Sequence, residues 1–305
     1  MKDINQETRD IYHAQHSRML SDEKTRKRLM DVQVNEKFFK LPKGFFKGRK
    51  VLDAGCGSIA RNAISFAKMG AEVHAMDIGD NWFKTARKNV KKSGLASDSI
   101  NFINGNVIDI PQEDQVFDFV CCDGVLPHLA DEKQVIKTLE NLCKVTKQGG
   151  YVFFSYFEAG GLIETKLNDA TRDFYKENGE FKKLIDNIKP SDLHELIDFV
   201  FDHLNLNKVE VPNKLRGTLK DLLDEDLCIS IQNTYQCKKR ECYDSLWINN
   251  ILANNGAASP KRLKRFIYRN NIRKFFSPFH YYHANKFTKI LYGEGWIDCI
   301  SKKTN

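Results

Sequence analysis

The sequence predicts an α/β fold, a mostly parallel sheet with helices on both faces, and three observations carry that reading. Residues Lys50 to Asp77, KVLDAGCGSIARNAISFAKMGAEVHAMD, read as a buried strand, a glycine turn, a helix and a second strand ending in an acid. Apolar strands continue to follow one another as far as Ser155, joined by turns and an amphipathic stretch, the pattern of a layered α/β domain. No run of about eighteen apolar residues interrupts them, so no membrane-spanning helix is expected.

Taken in order, IYHAQHSRML and EKTRKRLMDVQVNEKFF read as one or two helices, a cap over residues 1–42. His13 and His16 lie on it, either facing a pocket or on the solvated side. Leu41-Pro42-Lys43-Gly44 breaks the chain before the first strand. Val51 and Leu52 then give a short strand ending at Asp53, and Gly55, Cys56 and Gly57 let the backbone turn sharply against a ligand. A helix from Ala60 to Met69 and a strand from Glu72 to Met76 follow. Asp77 ends that strand twenty residues after Gly57, where a carboxylate can take two ribose hydroxyls. INFINGNVIDIP gives a third strand and a turn, VFDFVCCDGVLPHLAD a fourth strand with Asp123 and Gly124 at its end. Asp131 to Lys147 reads as an amphipathic helix, and Gly149 to Ser155 as a fifth strand.

The glycines also satisfy a dinucleotide pattern, Gly55-x-Gly57-x-x-Ala60. A pyrophosphate needs bare N–H groups at a helix N-terminus, and Asp53, two residues before the first glycine, opposes its charge. A ligand with an ammonium group suits that acid, and S-adenosylmethionine (SAM) offers one together with an adenosine for Asp77. With its acid-x-Gly-x-Gly motif, the chain resembles the class I, Rossmann-like SAM-dependent methyltransferases of the small-molecule type. The resemblance covers roughly the first half of the chain, and Ile59 stands where many members have a third glycine.

It implies that Asp53, Gly55, Cys56 and Gly57 frame the methionine portion and that Asp77 with Ile78 takes the ribose. It further implies that Asn106 and Val107 contact the adenine and that Asp123 and Gly124 lie near the sulfonium. Asn106 stands where the family has an acid, and its amide oxygen can still accept from an adenine amino group.

The stretch from Glu158 to about Lys274 is too long for an ordinary connection and reads as an inserted helical subdomain, residues 158–274, lying over the substrate. Ser191 caps an amphipathic helix within it, and Lys208 to Val211 reads as a strand ending at Pro212. Residues 43–157 and 275–305 form the core. FFSPFHYYHANKFTKILYGEGWIDCISKK resembles the end of the family's fold, with a helix over Ala284 to Tyr292 and a sixth strand over Trp296 to Ser301. A seventh, antiparallel strand is expected to be absent.

Methyl transfer is an in-line displacement, and alignment alone supplies roughly 7–11 kcal/mol of barrier lowering. A hydroxyl acceptor also needs a base, which adds about 10²–10⁴-fold. The candidates are His128, after the Asp123 loop, and His280 and Tyr281 with their neighbours Tyr282 and His283; Glu158 is a third. Cys56 matches a position often cysteine in the family, where it only packs, and Cys122 lacks the proline of cytosine-modifying enzymes. Cys237 and Cys242 have no second pair or nearby histidine, so no metal is expected.

The eight cysteines, scattered through apolar stretches, point to a reducing, cytoplasmic setting. The charge is uneven. Residues 236–305 hold fourteen of the 48 Lys/Arg and four of the 40 Asp/Glu, a local balance of +10, leaving 34 against 36 elsewhere. PKRLKRFIYRNNIRKFF, residues 260–276, interleaves basic and aromatic side chains, which grip phosphates and bases, meet an anionic small substrate or membrane surface, or form one helix with a solvated face. The partner expected is a small-molecule acceptor. The alternatives are an RNA methyltransferase using that segment and a non-catalytic SAM-binding protein.

Overall fold

The computed structural model describes residues 34–79, 82–111, 116–158, 168–192, 242–263 and 295–304, with residues 10–12, 14, 15, 18, 21–23, 195, 196, 228, 231, 232, 235 and 236. Its elements run β1 (Lys50–Ala54), β2 (Glu72–Asp77), β3 (Ile100–Asn104), β4 (Phe117–Cys122), β5 (Thr146–Glu158), β6 (Cys242–Tyr243), β7 (Lys261–Leu263) and β8 (Gly295–Lys302). The helices are α1 (Glu36–Phe39), α2 (Arg61–Lys68), α3 (Trp82–Lys92), α4 (Glu132–Val145), α5 (Asn168–Glu177), α6 (Gly179–Asn187) and α7 (Ser245–Asn254).

One sheet holds all eight strands, in the order β3-β2-β1-β4-β5-β8-β7, with β6 paired to β5. β1 pairs in parallel with β2 and β4, β2 with β3 and β4 with β5. The central strands are buried on both faces, which is why FVCC and YVFF are nearly continuous apolar runs. β1 to β5 all run the same way, so their carboxyl ends, with Asp53, Asp77 and Asp123 on or just past them, gather at one edge. In open α/β sheets that edge is where ligands bind.

Each face has its own core. Phe39, Phe46, Phe66, Phe119 and Phe153 are packed on one side, with Phe39 centred 4.8 Å from Phe119 and 5.1 Å from Phe153. Such edge-on pairs add about 0.5–1.5 kcal/mol each beyond the area they bury. Leu139, Leu142, Ile248 and Leu252, from α4 and α7, cover the other side. α4 starts at Asp131, whose carboxylate accepts from the Gln134 N–H at 2.8 Å, while Gln134 reaches back to the Ala130 N–H at 3.0 Å. The first bond satisfies one of the helix's free N–H groups, and the second holds the chain as it enters the helix.

The structure revises three expectations. α3 lies where no helix was anticipated; its apolar positions are few, and only Trp82, Ala86, Asn89 and Val90 are buried. The final strand, β8, runs antiparallel to β5 through eight pairs, Tyr151–Lys302 to Glu158–Gly295. It therefore fills the place of the antiparallel strand expected to be missing. The outer strand is β7, antiparallel to β8 and so parallel to β5, and it comes from residues assigned to the insertion.

The same holds for β6 and α7, so residues 242–263 belong with the sheet, and Lys261 and Arg262 lie on a strand rather than a helix. β6 takes up pairing with β5 at Phe157 and Glu158, just past the last β4 pair at Phe154. α5 and α6 pack on each other through Phe174, Tyr175, Phe181 and Ile185, and both are helical as the insertion was expected to be. The expected strand over 208–211, the helix over 284–292 and most of the helix after Ser191 lie outside the described residues.

Candidate active site

The site begins where β1 ends. Asp53 is 1% exposed, and its Oδ2 accepts from the Ala63 N–H at 3.0 Å, so the carboxyl ties β1 to the first turn of α2. Burial first, then the neighbouring Asp123 carboxylate, pushes its pKa up to about 7. The chain then turns through Gly55, whose φ of +86° is open to glycine. A Cβ there would stand 2.2 Å from Val125 Cγ2, so the turn presses against the loop after β4. Ala60, not Ile59, adopts the left-handed conformation at the start of α2, with φ 52°. Ile59 packs inward at 9% exposure.

Asp77 closes the turn from the other side. Its Oδ2 accepts from the Gly57 N–H at 2.8 Å and its Oδ1 from the Gly79 N–H at 3.3 Å, while the Ile78 N–H also supports it. Burial raises its pKa to about 6 in spite of these bonds. A carboxylate has about four lone-pair positions, so these three contacts leave one for a ligand hydroxyl. Asn106 uses Oδ1 to accept from the Ile108 N–H at 3.1 Å, which folds the turn after β3. Its second lone pair stays available to an amino group. Val107 is buried, and its carbonyl accepts from Asn141 Nδ2 at 3.3 Å.

Asp123 is the centre of a network that the sequence did not announce. Oδ1 accepts from Ser155 Oγ at 2.8 Å, and Oδ2 lies 3.2 Å from Asn62 Nδ2 and 3.4 Å from Arg61 Nη2. Ser155 in turn accepts from the Gly124 N–H at 2.7 Å. One carboxylate thus links α2, β5 and the loop after β4. Gly124 is left-handed, with φ +77°, beneath the indole of Trp296. Asn62 Oδ1 is buried with no hydrogen-bond partner among the described residues.

His128 sits in a short 3-10 turn, Leu126–His128, directly beyond this loop. Its Nε2 lies 2.7 Å from Tyr12 Oη, and the two rings meet edge-on with centroids 4.9 Å apart. The N-terminal segment therefore reaches the site, through Tyr12; His13 and His16 lie outside the described residues. So do His280, Tyr281, Tyr282, His283 and residues 264–276. Glu158 is tied up: Ser245 Oγ donates to Oε1 at 2.6 Å, Tyr156 Oη lies 2.7 Å from that Oγ, and Arg262 Nη2 is 3.5 Å from Oε2.

Burial and the Asp77 and Asp53 carboxyls push the Cys56 thiol up, away from a nucleophile's range. Among the described residues no group of His, Cys, Asp and Glu is placed to hold a metal ion.

The residues fit a cationic nucleoside better than a diphosphate. Three carboxyls, those of Asp53, Asp77 and Asp123, surround the glycine turn, and Arg61 faces one of them. The strand order, the antiparallel strand beside β5 and this acid–glycine turn define the Rossmann-like fold of the class I methyltransferases. Residues 52–154 match the family described as "Methyltransferase domain".

A ubiquinone biosynthesis O-methyltransferase from Shewanella sp. (strain ANA-3) is 36% identical over 164 residues, 50% of this chain and 62% of that protein. One from Pectobacterium carotovorum subsp. carotovorum (strain PC1) is 36% identical over 109 residues, 35% of this chain and 43% of its own. The chain thus spans less than two thirds of these relatives. Among solved structures, PKMT2 from Rickettsia typhi in complex with AdoHcy has a TM-score of 0.56 at 16% identity, over 90% of this chain and 52% of that one. Magnesium protoporphyrin IX methyltransferase from Synechocystis PCC 6803 with bound SAH has 0.53 at 13%, over 99% and 100%. At these identities the likeness is one of fold.

Proposed function

We propose that this protein transfers a methyl group from SAM to a hydroxyl oxygen of a small molecule. The observation that carries the reading is the set of three acidic side chains around the Gly55–Gly57 turn, which suits an ammonium and a sulfonium and repels a diphosphate. Asp53, Gly55, Cys56 and Gly57 hold the amino-acid end, Asp77 and Ile78 the ribose, and Asn106 and Val107 the adenine. Asp123 and Gly124 border the reacting centre. Bound there, the cofactor supplies a methyl group on a positively charged sulfur.

The chain's own residues do the rest. Arg61, Asn62 and Ser155 fix the Asp123 carboxylate, so the wall of the site is already in place before ligands arrive. Such preorganisation lowers the cost of alignment, the main contribution in a displacement of this type. His128 takes the hydroxyl proton of the acceptor. Oxygen as the acceptor atom is supported by the O-methyltransferase names of the curated relatives. Residues 158–241 serve as the substrate lid, and His280 and Tyr281 are further candidates for its pocket. A cytoplasmic setting suits the seven free cysteines among the described residues. No helix among those residues is long and apolar enough to cross a membrane.

The test is a screen of metabolite extracts with methyl-labelled SAM, joined to thermal-shift measurements with SAM, S-adenosylhomocysteine and NAD. Label entering a small molecule, with stabilisation by both adenosyl compounds, is expected. Stabilisation by NAD alone overturns the cofactor. Label entering added RNA, with affinity that falls steeply with salt, overturns the small-molecule acceptor.

A further inference from the structure

The acids around the glycine turn suit the ammonium and the sulfonium of SAM but not the third charge it carries. Its amino-acid end also bears a carboxylate, which Asp53, Asp77 and Asp123 repel. A site that takes that end therefore needs a cation beside the acids. The first turn of α2 supplies one: Arg61 Nη2 stands 3.4 Å from Asp123 Oδ2, its side chain 23% exposed against 7% for the carboxylate. Bonds between arginine and a carboxylate close to about 2.7–2.9 Å, so this pair is loose. A guanidinium has five N–H donors in a planar fork, enough to serve two carboxylates at once. The N-terminal end of α2, which starts at Arg61, adds partial positive charge there.

Asn62 follows and is 7% exposed. Its Nδ2 donates to Asp123 Oδ2 at 3.2 Å and toward Cys121 Sγ at 3.7 Å, while its Oδ1 is buried with no hydrogen-bond partner among the described residues. Buried acceptors are ordinarily paired. An ammonium, which is all donor and no acceptor, complements this one. Arg61 and Asn62 thus share Asp123, and the N–H of the next residue, Ala63, binds Asp53.

We propose that Arg61 and Asn62 recognise the two charged groups of the cofactor's amino-acid end: Arg61 pairs with the carboxylate, and Asn62 Oδ1 accepts from the ammonium beside Asp53. This rests on the reading of the glycine turn as a SAM site. Recognition of this kind selects adenosyl compounds that keep the whole amino acid and passes over nucleosides that have lost it.

Calorimetry with S-adenosylhomocysteine, its decarboxylated analogue and its deaminated analogue tests each half, and the wild type alone gives the first result. It should bind the parent compound about 10- to 100-fold more tightly than either analogue, the range for a bond to a charged group. Arg61→Gln should weaken the parent and the deaminated analogue by about that factor and should not weaken the decarboxylated one. Asn62→Leu should weaken the parent and the decarboxylated analogue and leave the deaminated one within about twofold.

An equal loss for all three ligands in either variant means that the residue only holds Asp123, and overturns its part of the proposal. Equal affinity of the wild type for all three overturns both assignments and leaves an adenosyl site standing. Failure of the wild type to bind S-adenosylhomocysteine, beside stabilisation by NAD, overturns the cofactor reading and this proposal with it.

Discussion

Asp53→Asn separates the electrostatics of the glycine turn from its shape. The amide keeps an oxygen for the Ala63 N–H, now 3.0 Å from Oδ2, and removes the charge that opposes Asp123. The folded pKa of Asp53 is about 7 against an ordinary 3.8, because burial and Asp123 both disfavour the ionised form. Between about pH 4 and pH 7 the folded protein keeps a proton that the unfolded chain has released. The contribution of Asp53 to stability is therefore greatest below the lower value and falls as pH rises through the window. Three pKa units at 1.36 kcal/mol each set its limit at about 4 kcal/mol.

Asparagine does not titrate, so the variant should gain on the wild type as pH rises and lead by up to about 4 kcal/mol at pH 8. For a chain of 305 residues, with about 2.1 cal/mol/K of unfolding entropy per residue, that is about 6 °C. Asp77, whose pKa is raised to about 6, titrates in both proteins.

Thermal unfolding of the ligand-free proteins from about pH 4 to pH 8 reads this effect, and calorimetry at pH 8 reads the opposite one. The ammonium of SAM loses a charged acceptor, worth about 1.5–3 kcal/mol, so affinity should fall about 10- to 100-fold. A difference in melting temperature that is flat with pH refutes the burial argument. Undiminished SAM affinity refutes the placement of Asp53 beside the amino-acid end.

Three further outcomes are expected. Asp77→Ala removes the acceptor of the Gly57 and Gly79 N–H groups as well as the ribose contact, so calorimetric SAM affinity should drop at least 100-fold while circular dichroism stays that of the folded protein; an unchanged affinity refutes the assignment. Gly55→Ala forces a side chain into φ +86° and against Val125, and should cost about 3 kcal/mol in denaturant unfolding; adding Val125→Ala should return only the part due to the clash, and full stability in the single variant refutes the strain argument. His128→Ala should cut kcat about 10²-fold or more with SAM affinity retained, and equal losses in both would make His128 a structural part.

The glycine turn was legible because its parts are close in sequence and their types leave few choices. An acid, two glycines in positive φ and a second acid twenty residues on can be read without knowing what packs around them. The first five strands followed from apolar runs bounded by turns. Strand direction at the far edge did not. β8 has an apolar face toward each core, with Ile297 in one and Ile300 in the other, and that pattern is the same whichever way a strand runs. Only its register with β5 fixes it as antiparallel, and β7, three residues long, is a strand because β8 is there to pair with it.

The polar network shows why site residues divide into readable and unreadable ones. Asp53 and Asp77 act on backbone N–H groups of the glycine turn and of the first turn of α2, so the motif carries its own partners. Asp123 depends on Asn62, Arg61 and Ser155, which come from two other elements and look, in sequence, like ordinary helix and strand residues. The orphan Asn62 Oδ1 is the physical trace of that arrangement: a buried acceptor costs about 1–3 kcal/mol when unpaired, more than an ordinary helix position would bear. Its Nδ2 donates toward Cys121 and Asp123, which leaves the oxygen as the side of the amide open to a ligand donor. Asn62→Leu should therefore weaken SAM binding by more than the stability it loses with the bond to Asp123. A loss of stability with full affinity would mean that the amide serves the fold and that the carboxylates alone hold the cofactor.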